Sequence, residues 1–104
     1  MRYMNGGIIA TLVDCHCVCT AMAEAYRREG RPVGAGEPIY YVTGALNVSY
    51  LKPTPMGETV TLVATIEETT EKKTVVSCVV SAAGEARARG EVVAVRVPES
   101  WRDK

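Results

Sequence analysis

An acidic residue, Asp14, lies in the middle of the longest apolar segment of the sequence, residues 7–23. Burying an ionised carboxylate is costly unless the charge is paired or hydrogen-bonded. The residues three and four positions away, which would adjoin it on a helix, carry no positive charge: Ala10, Thr11, Cys17 and Val18. Asp14 is therefore either a structural carboxylate, hydrogen-bonded to Thr11 or to a strand hydroxyl, or a general base or nucleophile in a cleft.

Two glycines, Gly6 and Gly7, stand at the start of the same segment. If a helix begins there, its first backbone N–H groups point outward without intrahelical partners, and the positive end of its dipole lies beside them. Glycine also lets a ligand approach the backbone closely. The pair predicts either an oxyanion-binding site or a simple turn into the helix. Asn5 precedes them as a helix N-cap or as the source of a further amide contact to an oxyanion.

The element that carries these residues is a predicted helix that begins at the two glycines and contains the apolar segment 7–23. It continues through the polar residues 24–29 and stops at Gly30. The segment is shorter than the ~20 residues that a bilayer requires and has Asp14 and His16 near its middle, so we expect no membrane span. It is apolar nearly all the way round, as in a helix enclosed by other structure. One stripe contains Ile8, Leu12, Cys15, Cys19 and Met22, and a second contains Ile9, Val13 and Cys17.

After a glycine-rich loop at residues 31–38, the apolar period changes to two, which is typical of strands. Four strands are predicted over residues 40–51, 59–66, 74–82 and 86–97, with turns at 67–73 and 83–85 and a polar tail at 98–104. In the first strand, Val42, Leu46, Val48 and Tyr50 alternate with Thr43, Asn47 and Ser49. The pattern predicts an α+β fold in which an antiparallel meander wraps the helix.

Composition limits the function classes that the chain can serve. Its 104 residues predict a single domain, 1–104, and 47% hydrophobic with 23% charged residues is typical of a globular protein. Twelve basic and twelve acidic side chains give a net charge of zero, so neither nucleic acid nor an anionic membrane surface is an expected partner. The N-terminal residues carry no charged leader or cleavage site, and we expect a cytoplasmic protein.

The four cysteines, Cys15, Cys17, Cys19 and Cys78, are expected to be free thiols. Residues two apart on a helix point to different sides and cannot form a disulfide, and free thiols suit a reducing compartment. On a helix, the C-x-C pairs and His16 point in different directions, and no C-x-x-C pair occurs, so we expect no metal. No P-loop or G-x-G-x-x-G motif occurs either, and we expect no cofactor.

Three segments resemble one family. NGGIIATLVD is similar to the helix-start motif of hotdog-fold acyl-CoA thioesterases of the phenylacetate-pathway and human thioesterase-superfamily type, usually H-G-G followed seven residues later by an acid. VTGALNVSYLKPTPMGETVTLVATI resembles their next two strands, and ARGEVVAVRVP their last. Asn5 stands where the family usually has histidine, and the printed sequence starts just before the motif.

The resemblance implies a hotdog fold and hydrolysis of an acyl thioester, usually acyl-CoA. By position, Gly6 would donate its N–H to the thioester carbonyl, Asp14 would activate water or attack, and Thr43 would help to place the water. Asn5 and Gly7 adjoin the substrate in this arrangement. The basic residues available to CoA phosphates are Lys52, Arg87 and Arg89.

The spacing of Gly6 and Asp14 requires a second subunit. Eight residues along one helix correspond to about 12 Å, too far for both groups to meet one carbonyl. An antiparallel helix of another subunit would bring its Asp14 beside the first subunit's Gly6, which predicts a homodimer with two composite sites, assembling further into a tetramer. Two other functions are a non-catalytic acyl-CoA binding or sensing module and, less favoured, a dehydratase, for which His16 faces away from Asp14.

Overall fold

The computed structural model describes residues 2–102. A long helix is followed by four strands and a short helix, which confirms the α+β class. The elements are α1 (Gly6–Arg28), β1 (Tyr41–Tyr50), β2 (Val60–Thr69), β3 (Lys73–Ala82), β4 (Glu85–Arg96) and α2 (Glu99–Arg102). α2 lies within the predicted polar tail, whose residues 103–104 are outside the described part. β2 and β3 also extend into the predicted charged turn at residues 67–73, so the turn is shorter than expected.

The sheet is antiparallel with the strand order β1-β4-β3-β2, so the predicted simple meander is wrong for β1. β3 and β4 are joined by a tight turn in which Ala83 and Gly84 have positive φ, and β2 and β3 by another short turn. The connection from β1 to β2 is longer and contains Pro53 and Pro55, which cannot continue a strand ladder. It carries the chain to the far edge, and β1 pairs with β4 instead.

α1 packs on one face of this sheet, and only one stripe of the helix is buried. Ile9, Val13, Cys17 and Ala21 are 0–3% exposed. The opposite stripe is open, with Ile8 54% and Leu12 36% exposed, and Cys15 and Cys19 also exposed. The expectation of a helix enclosed on all sides is therefore wrong for the single chain, because four strands cover only half of the helix.

α1 continues from the apolar segment through the polar residues up to Arg28, as predicted. At this length, with a mean hydropathy of 1.5 over its most apolar 18 residues, it meets the length and composition criteria for a membrane span, as core helices of soluble proteins also do. Its contact with the sheet accounts for its apolar core stripe. The helix terminates where predicted, since Gly30 has φ of 70° just beyond the Glu29 cap.

Two thiols meet in the core, Cys17 on α1 and Cys78 on β3, and both are essentially unexposed. Burial, together with the neighbouring Cys78 thiol, raises the pKa of Cys17 to about 12. Burial also raises the pKa of Cys78. Both groups therefore stay protonated at neutral pH and behave as apolar packing groups rather than nucleophiles.

Gly90 is the point of closest approach between α1 and the centre of the sheet. A Cβ at this position would overlap Cγ1 of Val13, the residue beside Asp14, and would lie 3.4 Å from the Asn47 carbonyl oxygen. Since Val13 is wholly buried, it has no open space into which to move. We expect Gly90→Ala to lower the free energy of unfolding by about 1–3 kcal/mol, measured by urea denaturation.

A double-mutant cycle separates this overlap from any intrinsic effect of alanine in β4. Val13→Ala removes the methyl groups that the new Cβ would meet, so Gly90→Ala should cost less in the Val13→Ala background than in the wild type. An equal cost in both backgrounds would show that Val13 does not set the requirement for glycine.

Candidate active site

Asp14 is half-buried on the flank of α1 that faces β1. The Thr43 hydroxyl donates a hydrogen bond of 2.5 Å to its Oδ1. Thr11, the other predicted partner, donates instead to the Gly7 carbonyl oxygen. Oδ2 of Asp14 has no hydrogen bond to residues 2–102, so one oxygen is anchored while the other remains available to accept a proton.

A β-bulge accounts for this contact, which the alternation pattern in the sequence does not predict. The pairing of β1 with β4 shifts between Thr43 and Ala45, at Gly44. Thr43 is opposite Ala94, and Leu46 is opposite Val92, two β4 residues whose side chains are buried against α1. The extra residue therefore places Thr43 on the same helix-side face as Leu46, Val48 and Tyr50, and the predicted placement of Thr43 on the opposite face is wrong.

The N-terminus of α1 forms a second polar site. Asn5 caps the helix, accepting a 2.7 Å hydrogen bond from the Gly7 N–H at its Oδ1, so the predicted cap is present. The Gly6 N–H makes no hydrogen bond within the described chain. Gly6 thus presents an unsatisfied donor at the positive end of the helix dipole, while the Gly7 donor is already occupied.

Tyr50, at the end of β1, packs directly on Gly6. Its hydroxyl donates a 2.6 Å hydrogen bond to the Gly6 carbonyl oxygen. A Cβ on Gly6 would lie 3.3 Å from Cζ of the tyrosine ring. The sequence pattern places Tyr50 among the alternating apolar residues of the strand and does not predict this contact. The only signal in the sequence is that a tyrosine stands just before a chain reversal.

The predicted basic residues gather near the end of β1, at the same end of the molecule as Gly6. Both the Leu51 and Lys52 N–H groups donate to the Arg87 carbonyl, and Ser49 is opposite Arg89. Lys52 pairs with Glu85 at 3.1 Å. The Arg87 guanidinium donates to the carbonyl oxygens of Ala82 and Pro53, so it braces the loop. Arg89 is exposed on the sheet face away from the helix.

Other candidate chemistry is not assembled in the described chain. His16 is exposed, and no hydrogen bond joins its side chain to Asp14. Within residues 2–102, no three His, Cys, Asp or Glu side chains lie close enough to hold a metal ion. A cleft of about 630 Å³ lies at the far end of α1 and is lined by residues that include Arg28, Tyr41 and Arg96, but not by Asp14 or Gly6.

The sequence and the fold are similar to those of known proteins. The model of one family, the thioesterase superfamily, matches residues 1–89. A thioesterase superfamily protein from Shewanella loihica is 43% identical, with a TM-score of 0.72, over 92% of this chain and 70% of that one. A Bacillus halodurans protein whose crystal structure was determined with CoA is 33% identical, with a TM-score of 0.67, over 91% of this chain and 56% of that one.

A more distant structure shares the fold. The Escherichia coli PaaI protein from the phenylacetic acid degradation operon is 15% identical, with a TM-score of 0.76, over 93% of this chain and 62% of that one. The chain therefore spans less than two thirds of the length of the Bacillus halodurans protein and of the Escherichia coli protein. A comparison with curated protein sequences gives no match.

Proposed function

This chain belongs to the thioesterase superfamily and has its hotdog fold, and we propose that it hydrolyses an acyl-CoA thioester. The observation that carries the proposal is the hydrogen bonding of the Asp14 carboxylate. One carboxylate oxygen is fixed by Thr43, and the other is without a protein partner on a half-open face of the helix. The hydrogen bond from Thr43 is the strand-hydroxyl contact that a structural role predicts, and the free oxygen in addition gives the carboxylate the accessible acceptor that a general base needs.

In this mechanism, the Gly6 N–H binds the thioester carbonyl oxygen and stabilises the negative charge that develops there. Asp14 takes a proton from a water molecule as the water attacks the carbonyl carbon. Collapse of the tetrahedral intermediate breaks the carbon–sulfur bond, and the proton passes to the departing CoA sulfur or to solvent. The products are a carboxylic acid and free CoA, and Thr43 holds the carboxylate in position throughout.

The site is completed by a second protomer, in our proposal. Gly6 and Asp14 lie at different heights on α1 and are contacted by opposite ends of β1, through Tyr50 and Thr43. β1 is an edge strand with a free row of backbone groups, and nearly all of its side chains are exposed in the single chain. Pairing β1 with its copy would cover this edge and the exposed stripe of α1, giving a homodimer, with the outer sheet face available for a tetramer.

Complementation between inactive variants tests the composite site. We expect Asp14→Ala and Gly6→Pro homodimers to be nearly inactive, whereas mixed dimers should recover about half of the wild-type activity. One of their two sites combines an intact Gly6 with an intact Asp14 of the partner subunit. The measurement is acyl-CoA hydrolysis after the two purified variants are exchanged or co-expressed. If no activity returns in verified mixed dimers, both groups belong to one chain or the geometry is wrong.

CoA itself is proposed to bind near the end of β1. Lys52 and Arg89 supply positive charge that is accessible to phosphates, although Glu85 partly neutralises Lys52. Arg87 contributes charge but is committed to backbone carbonyls. The structure of the Bacillus halodurans relative with CoA supports this class of ligand.

A second candidate function is a non-catalytic acyl-CoA binding module. It is favoured by Asn5, which stands where related thioesterases usually have histidine and here serves as a helix cap. The deciding experiment measures hydrolysis of aromatic and straight-chain acyl-CoAs and, in parallel, their binding by calorimetry. Loss of thioester absorbance is the suitable readout, because the exposed Cys15 and Cys19 would react with thiol reagents. Turnover supports the hydrolase, and tight binding without turnover supports the module.

A further inference from the structure

The first turn of α1 contains two successive glycines, a backbone with unusually wide conformational freedom. An oxyanion donor is effective only if its direction is fixed before the reaction begins. The Gly6–Gly7 segment must therefore be held by its contacts with other residues.

The peptide group between Gly6 and Gly7 is held at both ends. Its carbonyl oxygen accepts the 2.6 Å hydrogen bond from the Tyr50 hydroxyl, and its N–H donates the 2.7 Å hydrogen bond to Asn5 Oδ1. Because a peptide group is planar, fixing its two polar atoms fixes the orientation of the whole unit. The tyrosine ring also lies against Gly6, close enough to restrict movement of its Cα.

The same chain of hydrogen bonds orients Asn5. Since Oδ1 of Asn5 is engaged by the Gly7 N–H, the rotation of the side-chain amide that carries Nδ2 is restrained. Successive hydrogen bonds through one peptide group also polarise and strengthen one another. The Gly6 N–H belongs to the preceding peptide group, whose carbonyl oxygen, that of Asn5, accepts hydrogen bonds from the Ile8 and Ile9 N–H groups. That peptide meets the Gly6–Gly7 peptide at the Gly6 Cα, against which the Tyr50 ring packs. Tyr50 thus acts on the Gly6 N–H through the Gly6 Cα and on the Asn5 amide through the Gly7 N–H.

We infer that Tyr50 is a positioning residue of the thioester site. It fixes the Gly6–Gly7 peptide and the Gly6 Cα, and through them it directs the Gly6 N–H and the adjacent Asn5 amide at the thioester carbonyl oxygen. The Tyr50 proton is already donated to Gly6, so the hydroxyl does not itself donate to the substrate. The inference deepens the proposed hydrolysis and rests on it.

Tyr50→Phe removes the hydroxyl and keeps the ring. We expect kcat to fall about tenfold with KM within about twofold of wild type, because the lost alignment matters chiefly in the transition state. Tyr40→Phe is the matched control: Tyr40 is similarly exposed, 50% against 52%, and its hydroxyl has no hydrogen bond within residues 2–102. This control should retain wild-type kcat and KM.

A second readout does not depend on turnover. In an acyl-CoA analogue whose sulfur is replaced by CH2, the ¹³C resonance of the labelled ketone reports polarisation of the carbonyl when bound. We expect a downfield shift on wild-type protein and on Tyr40→Phe, and a smaller shift on Tyr50→Phe at saturating ligand. A thermal denaturation midpoint measured for each variant separates this effect from loss of folded protein.

The outcomes distinguish the two proposals. If wild type hydrolyses acyl-CoA but Tyr50→Phe equals it in kcat and carbonyl shift, the positioning role is wrong and the hydrolase stands. If Tyr50→Phe reduces the carbonyl shift while no variant hydrolyses thioesters, the positioning role stands and the hydrolase is wrong. If Tyr50→Phe raised KM and left kcat unchanged, the inference would be overturned, because Tyr50 would then contribute to substrate binding and not to alignment in the transition state. An unshifted carbonyl on bound wild type would also overturn it.

Discussion

Replacing Asp14 by asparagine should lower kcat for acyl-CoA hydrolysis by about 10²–10⁴-fold, the usual contribution of a general base. The substitution is nearly isosteric, and the asparagine oxygen can still accept the Thr43 hydrogen bond. The variant therefore removes basicity while the local geometry is retained, and KM should change little. The measurement is steady-state hydrolysis of the best acyl-CoA substrate, with folding checked by circular dichroism.

Thr43→Val provides the comparison for Asp14→Asn. It removes the hydroxyl that holds the carboxylate but leaves the base in place, so its effect on kcat should be much smaller than that of Asp14→Asn. If Asp14→Asn retained wild-type kcat, Asp14 would be a structural group whose role ends at its hydrogen bond to Thr43. The mechanism proposed above would then be wrong.

Gly6→Pro should reduce kcat by about 10²–10³-fold, the loss seen when a single oxyanion donor is removed. Gly6 is the first residue of α1, a position where proline is well tolerated because its missing N–H has no helical partner. Asn5, with φ of −62° and ψ of 139°, already has the extended conformation that a following proline requires. The substitution thus deletes the proposed donor without breaking the helix.

Gly6→Ala is the matched control for Gly6→Pro. Both variants add a Cβ that would lie 3.3 Å from the Tyr50 ring, but alanine keeps the N–H. The activity difference between the two variants separates replacement of the N–H by the proline ring from the effect of the added Cβ. Equal activities would indicate that the Gly6 N–H does not bind the reacting carbonyl oxygen. A common loss in both variants would then be due to crowding of Tyr50.

Much of the fold could be predicted because it rests on local chemistry. The apolar segment with Gly6 and Asn5 at one end and Gly30 at the other predicts a helix whose start and stop signals are both present in the structure. The change of period to two predicts the strands, and the short Ala83-Gly84 turn predicts the β3–β4 hairpin. The path from β1 to the far edge was not predictable, because a proline-containing loop does not specify which strand follows in space.

The candidate site was predicted in its residue types but not in its contacts. Asp14 was recognisable because a carboxylate in an apolar helix needs an explanation. A strand hydroxyl was an expected partner, but its identity as Thr43 was not predictable from the pattern. A strict alternation places Thr43 on the wrong face, and a bulge at Gly44 has no reliable signature in one sequence. The open stripe of α1 was also missed, since an all-round apolar helix has the same pattern whether it is covered by its own chain or by another.

The bulge at Gly44 makes strand register a constraint on this site, alongside side-chain identity. If β1 kept its length but paired with β4 without the bulge, Thr43 and Leu46, three residues apart, would lie on opposite faces, and the Thr43 hydroxyl would turn away from Asp14. Deleting Gly44 would instead leave Thr43 two residues before Leu46, on the same helix-side face. A substitution that only straightened the strand would therefore dismantle the geometry of the site without changing its composition, whereas loss of the extra residue would preserve it.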